Sequence, residues 1–226
     1  KTGFSFARLY KFTVTGFALN YVTPVGLMGG EPYRIMELKP YIGIERATSS
    51  VILYVMMHIF SHFCFWLSSV LLYVCLYPVG WMMGIILGAI TVFCLLIVIL
   101  FMKGYRQGMA VAFVRMGGRI PFLKKKVFHF ANAHKEKLEN IDKQIALLHQ
   151  QKKQTFYSAL LLEYTARVVS CLEIWLILNV LTTHVSFADC CLIAAFSSLL
   201  ANLLFFLPMQ LGGREGGFAL AVGGLS

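Results

Sequence analysis

Residues 47–102 pass without a single Asp, Glu, Lys or Arg. At roughly 20 residues per crossing, that run is long enough for two transmembrane helices. The rest of the composition agrees, with 58% of 226 residues hydrophobic and a mean hydropathy of +0.73. A soluble domain of this size exposes too much surface for that balance. The fold class predicted is therefore an all-α polytopic membrane protein. Pro78 and Gly80 divide the charge-free run into spans over 51–77 and 81–102. Segments 156–182 and 187–207 read as two more, joined by a short outer turn at 183–186. Segment 4–22 carries Arg8 and Lys11, and its uncharged part is short for a crossing. It reads as a half-helix.

Charge placement gives the orientation. Residues 103–153 hold 12 Lys or Arg against three acids, Glu136, Glu139 and Asp142. Basic loops stay on the cytoplasmic side, so 103–155 is expected to be a cytoplasmic loop. Leu138, Ile141, Ile145 and Leu148 give it an amphipathic helix with a narrow apolar stripe. The Lys124, Lys125 and Lys126 triplet reads first as part of that topology signal, and beside a membrane it also suits anionic lipid headgroups at about 1 kcal/mol per basic residue. Membrane lipids are thus the expected partners, anionic phospholipid above all, and nucleic acid is not. The chain begins at Lys1 and stops at Ser226 in an apolar, glycine-containing stretch. That reads as a fragment of a longer protein, with 1–226 forming a single transmembrane domain. The six cysteines, all in apolar segments, read as small buried hydrophobes.

Two short stretches interrupt the apolar pattern and resemble each other. PVGLMGGEPYR begins at Pro24, and PMQLGGREGG begins at Pro208. Each has a proline, then a Gly-Gly pair, then a glutamate with an arginine close by. Such breaks free the backbone from helical geometry. Irregular backbone at membrane depth is tolerated only where protein or a water-filled cavity satisfies it. Breaks at corresponding points of two halves mark transporter-type binding sites, and the helix N-termini that follow offer N–H groups to an anion. The bundle is thus expected to contain broken or re-entrant half-helices at both Gly-Gly-Glu motifs, related as an internal repeat. The competing reading is that both are helix-opening loops or packing devices, with glutamate favoured by the helix dipole.

Ionisable residues inside spans are costly and face a cavity or a partner. Glu163 and Arg167, four apart, share a helix face and can pair. The alternative places both in the first turns, where long side chains snorkel to the interface. Glu173 lies about 120° round from Arg167 and should face something else. His58 and His62 are also four apart. A polar contact to a neighbouring helix is preferred over zinc, which needs ligands from elsewhere. No nucleophile elbow, P-loop or dinucleotide fingerprint is present, so no catalytic residue, metal ligand or cofactor is assigned.

With both motifs in view, the sequence resembles the transmembrane domain of lysylphosphatidylglycerol synthase/flippase proteins. The early motif appears as PVGLMGGEPYR followed by Glu45 and Arg46, and the late one as LPMQLGGREGG. The resemblance covers nearly the whole chain, and the long basic insert departs from it. It implies movement of an anionic or aminoacylated lipid, or a lipid-linked sugar, between leaflets of a bacterial plasma (inner) membrane. The aminoacyl-transferase that makes lysylphosphatidylglycerol is a separate module, and nothing in this chain resembles it. The expected headgroup site comprises Gly29, Gly30, Glu31, Arg34 and Arg46 from the first half, Arg167 and Glu173 from the third span, and Gly212, Gly213, Arg214 and Glu215 from the second motif. Two other functions fit the sequence: a membrane-embedded transferase using Glu31 with Glu37 or Glu45, and an anchor for a missing synthase domain.

Overall fold

A computed structural model describes residues 5–23, 29–107, 153–181, 185–203 and 213–223, with backbone alone for Tyr21, residues 101–107, Lys153, Thr155, Gly213 and Arg214. Among them are seven helices and no strand: α1 (Phe6–Val22), α2 (Gly30–Ile42), α3 (Ile44–Leu76), α4 (Trp81–Gln107), α5 (Lys153–Leu181), α6 (Phe187–Leu203) and α7 (Gly213–Gly223). The chain is an all-α, multi-pass membrane protein. Of the expected loop over 103–155, residues 103–107 continue α4 and 153–155 open α5, while 108–152 with the amphipathic helix, Pro24 and Gly212 lie outside the described residues.

Three helices are long and apolar enough to cross a bilayer: Ile44–Leu76, Trp81–Leu100 and Phe156–Leu181. The described part of the expected fourth span, α6, has 17 residues. At 1.5 Å per residue it covers about 25 Å, short of a hydrocarbon core of about 30 Å. α3 is the hub, with α2, α4, α5 and α6 all packed on it. Phe65, Trp66, Cys94, Cys171 and Cys191 bring α3 to α6 into one buried cluster. The cysteines there act as the small hydrophobes the sequence suggested. α4 keeps Trp81, Ile85, Val92, Leu96 and Ile99 on its exposed side, as a lipid-facing span should.

The two Gly-Gly-Glu stretches each open a short helix that folds back on a helix of 17 residues. α2 has 13 residues, too few to cross a bilayer, and is a half-helix of the expected kind, while the described part of α7 has 11. α1 starts at Ser5, whose hydroxyl accepts from the Arg8 N–H at 3.4 Å. α2 ends at Gly43, where φ of +80° turns the chain into α3, a conformation that favours glycine. α6 begins with a reciprocal cap. The Asp189 N–H donates to Ser186 Oγ at 3.1 Å, and Asp189 Oδ2 accepts from the Ser186 N–H at 3.3 Å.

Candidate functional site: a polar line along the long span

The site is built from the first hairpin upward. α1 and α2 approach so closely that a Cβ added to Gly30 would lie 2.2 Å from the Gly16 carbonyl oxygen. Small residues at both positions let the two backbones touch. Asn20, on the same side of α1, then caps α2. Its Oδ1 accepts from the Gly30 N–H at 2.7 Å, and its Nδ2 donates to Glu31 Oε1 at 3.2 Å. Arg34, one turn further on, is 6% exposed. Its guanidinium lies over Gly16, where any side chain would collide with it. Nη2 donates to the Thr13 carbonyl at 3.2 Å, and Nη1 stands 3.6 Å from Glu31 Oε1. The rings of Phe17 and Tyr54 flank it at 5.0 and 4.8 Å, a cation–π arrangement. Two buried polar atoms, Glu31 Oε2 and Arg34 Nε, have no hydrogen-bond partner.

Arg34 also forms one wall of a cavity of about 120 Å³ between α1, α2 and α3. Its other walls include Leu9, Phe12, Leu38, Val51 and Tyr54.

From Tyr54 a line of aromatic rings climbs α3 at every fourth residue. Tyr54 and His58 stand 6.2 Å apart, His58 and His62 5.3 Å, His62 and Trp66 5.6 Å. Residues four apart share a helix face, and 12 residues of rise carry this one about 18 Å, over half the hydrocarbon thickness. α5 supplies charge to the line. Glu163 Oε2 meets His58 Nδ1 at 3.2 Å. Arg167 donates from Nε to Ser61 Oγ at 2.7 Å and from Nη2 to the His58 carbonyl at 2.9 Å, while Nη1 meets His62 Nδ1 at 3.2 Å. Trp66 closes the line by donating to Ser198 Oγ of α6 at 2.9 Å.

These contacts assign opposite tautomers to neighbouring histidines. A carboxylate only accepts and a guanidinium only donates. His58 Nδ1 must therefore carry a proton toward Glu163, while His62 Nδ1 must offer a lone pair to Arg167. The His58 ring nitrogen also lies 3.4 Å from Arg167 Nη2, at the long edge of hydrogen-bond reach, and Nη2 makes its short bond to the His58 carbonyl. The histidine pair thus makes the expected interhelical contact.

Arg167 is the fifteenth residue of the 29-residue α5. The snorkelling reading is corrected on that ground, since either end lies about 21 Å away. Glu163 and Arg167 do not settle with one another; both reach across to α3 and are joined through His58.

The transmembrane family described as "Lysylphosphatidylglycerol synthase TM region" matches this chain over residues 1–226. The chain belongs to this family. No curated protein and no solved structure matches it. Membership places the polar line in a lipid-related membrane family.

The predicted site residues divide into those the fold gathers and those it does not. Gly29, Gly30, Glu31 and Arg34 lie together at the α1–α2 crossing, and Arg167 reaches the same α3 face two turns beyond Tyr54. Arg46 is exposed in the first turn of α3, Glu173 is exposed on α5, and Glu215 is exposed in the first turn of α7. Gly213 opens α7, Arg214 follows it with only its backbone described, and Gly212 lies outside the described residues. Asn20, Tyr54, Ser61 and Trp66 escaped the sequence reading. The spacing of four from Tyr54 to Trp66 was the available signal.

Proposed function

We propose that the chain moves the phosphate-bearing headgroup of a phospholipid, or of a lipid-linked sugar, between leaflets along the polar face of α3. A single observation carries the reading: Arg34 and Arg167 are both drawn in against one face of a span that carries no charge of its own from Ala47 on. An arginine at mid-span costs about 2.5–3.5 kcal/mol on insertion scales, and two along one line supply successive anion contacts where water is excluded. The cavity beside Arg34 suits the entry of a lipid whose chains stay in the apolar phase. The basic loop supports a bacterial plasma membrane topology with the α2–α3 corner on the cytoplasmic side.

The test is leaflet-to-leaflet movement of fluorescent phosphatidylglycerol in proteoliposomes. Arg34→Gln and Arg167→Gln should each slow it by roughly tenfold or more, the loss expected for one charge-assisted contact worth about 1.5–3 kcal/mol. If both variants move lipid at the wild-type rate, the headgroup does not travel this face.

A further inference from the structure

We infer that His62 is a proton-controlled latch on Arg167, and that the α3–α5 cluster binds a proton together with the lipid phosphate. This rests on the headgroup reading above.

The charge of the cluster sets up the latch. Glu163 carries one negative charge and Arg167 one positive, and with both histidines neutral the cluster is neutral. Every donor of Arg167 described above has a protein acceptor: Ser61 Oγ, the His58 carbonyl and His62 Nδ1. Three of the five guanidinium N–H groups are thus held by the protein, and a phosphate gains full use of Nη1 only when His62 releases it. The weakest link is the one to His62, because that acceptor is a titratable nitrogen. A proton taken from the water phase onto His62 Nδ1 converts it from acceptor to donor. Two donors then face one another at 3.2 Å, and a second positive charge stands beside the guanidinium. Arg167 Nη1 must turn away, and an oxyanion is the partner that satisfies both groups at once.

Among the described contacts, the other titratable groups on this face already have partners. On α3 the titratable neighbours are His58 and, beyond it, Tyr54 under the Arg34 guanidinium. On α5 they are Glu163, engaged with His58, and Tyr164, whose hydroxyl donates to Ser68 Oγ at 2.9 Å. α6 reaches the line through Ser198, which accepts from Trp66. Glu163 is thus held one turn away from His62, on His58. By linkage, a proton that favours phosphate binding is itself favoured by phosphate to the same extent. Proton and headgroup enter together.

The experiment compares wild type, His62→Gln and His62→Lys in proteoliposomes at about pH 5.5 and pH 7.5, which bracket the range where histidine changes charge. Glutamine keeps an acceptor for Arg167 and cannot titrate; lysine keeps a permanent positive charge there. Wild type should move phosphatidylglycerol roughly fivefold or more faster at the lower pH, the low end of usual site–site couplings. His62→Gln should be slow at both values and His62→Lys fast at both. Equal pH profiles in wild type and His62→Gln would overturn the latch while leaving lipid movement intact.

A second measurement decides the latch even if no variant moves lipid, in which case the functional reading is what fails. Nitrogen NMR of 15N-histidine- and 15N-arginine-labelled protein in bilayers should show, at the higher pH, one histidine with an unprotonated Nδ1 that vanishes in His62→Gln. On acidification that ring should gain its second proton as the Arg167 signal shifts at the same midpoint. A protonated His62 Nδ1 at the higher pH, or independent midpoints, sinks the proposal.

Discussion

The two hairpins α1–α2 and α6–α7 have the same plan and different interiors. Each pairs a 17-residue helix with a short one opened by Gly-Gly. Aligned on the glycine pair, Arg34 of the first falls where Gly217 stands in the second. In the first hairpin the bulk belongs to the short helix, and Gly16 on the long one makes room for the guanidinium. In the second the glycine has moved to the short helix: a Cβ at Gly217 would meet Ser197 Cα at 3.2 Å and Leu200 Cδ2 at 3.3 Å. Phe218, Ala221 and Val222 then join Cys190, Ile193 and Leu178 in an apolar seam. One hairpin is closed around a charge, the other around carbon. A repeated motif can therefore supply chemistry in one copy and packing in the other.

The largest expected effect strikes the closest approach. Gly30→Ala places a methyl 2.2 Å from a main-chain oxygen, and main chain cannot step aside as a side chain does. Overpacking of this kind costs about 1–3 kcal/mol or more. Gly217→Ala meets its nearest atoms a full ångström further away and should cost well under half as much. Thermal unfolding in detergent, followed by size-exclusion recovery, reads both; equal losses would erase the contrast between the hairpins.

Function should separate the hairpins next. Glu31→Gln removes charge from a carboxylate that meets both Asn20 and Arg34, with one oxygen buried and unserved. It should slow lipid movement by roughly tenfold, as loss of a charge-assisted contact does. Glu215→Gln alters an exposed side chain and should leave the rate within about twofold, the reach of surface changes. The sequence treats these two glutamates as equivalents, so a matching loss in Glu215→Gln would restore that symmetry.

What the sequence made legible follows from physical scale. The absence of charge over 47–102 announces two spans because desolvating a charge is costly wherever it occurs. The half-helices were legible in the Gly-Gly pairs because glycine acts locally. Arg167 was visible as a charge in a span, but not its partners. A guanidinium has five donors, more than the one carboxylate four residues away can serve, so it reached a neighbouring helix whose register the sequence does not print. The His58–His62 spacing was noticed without its continuation to Tyr54 and Trp66, since aromatic residues are ordinary in a membrane span. Asn20 carries no sequence signal of its own. Its role depends on Gly30 arriving within 2.7 Å of it, a tertiary fact.

Asn20→Ala tests that cap and ranks third. It removes an acceptor for the Gly30 N–H and a donor to Glu31 at once, and cap losses are typically about 1 kcal/mol. Asn20→Asp keeps the acceptor but sets a second negative charge beside Glu31, so it should recover the cap while slowing lipid movement. If both variants unfold at the wild-type temperature, α2 draws its stability from the α3 contact and the cap is incidental.

The smallest effect concerns how the second hairpin is tied down. Tyr77, just beyond α3, donates its hydroxyl proton to Asp189 Oδ1 at 2.5 Å, the same carboxylate that caps α6 through Ser186. That hydrogen bond, aided by partial burial and the carboxylate's charge, raises the Tyr77 pKa above its ordinary value. The raised pKa means the folded chain holds this proton more tightly than the unfolded chain. Its stabilisation is complete below the ordinary tyrosine value of about 10 and is lost as pH climbs through the folded one. Tyr77→Phe should therefore lower the unfolding temperature only slightly at neutral pH, by the equivalent of about 0.5–1 kcal/mol. Wild type and variant should converge under strongly alkaline conditions, because ionised Tyr77 repels Asp189. In the first hairpin the contact with α3 runs through Arg34, whose guanidinium lies 4.8 Å over the Tyr54 ring. A Tyr77→Phe loss that persists unchanged at high pH would assign the stabilisation to packing of the ring, and would leave α6 capped by Ser186 alone.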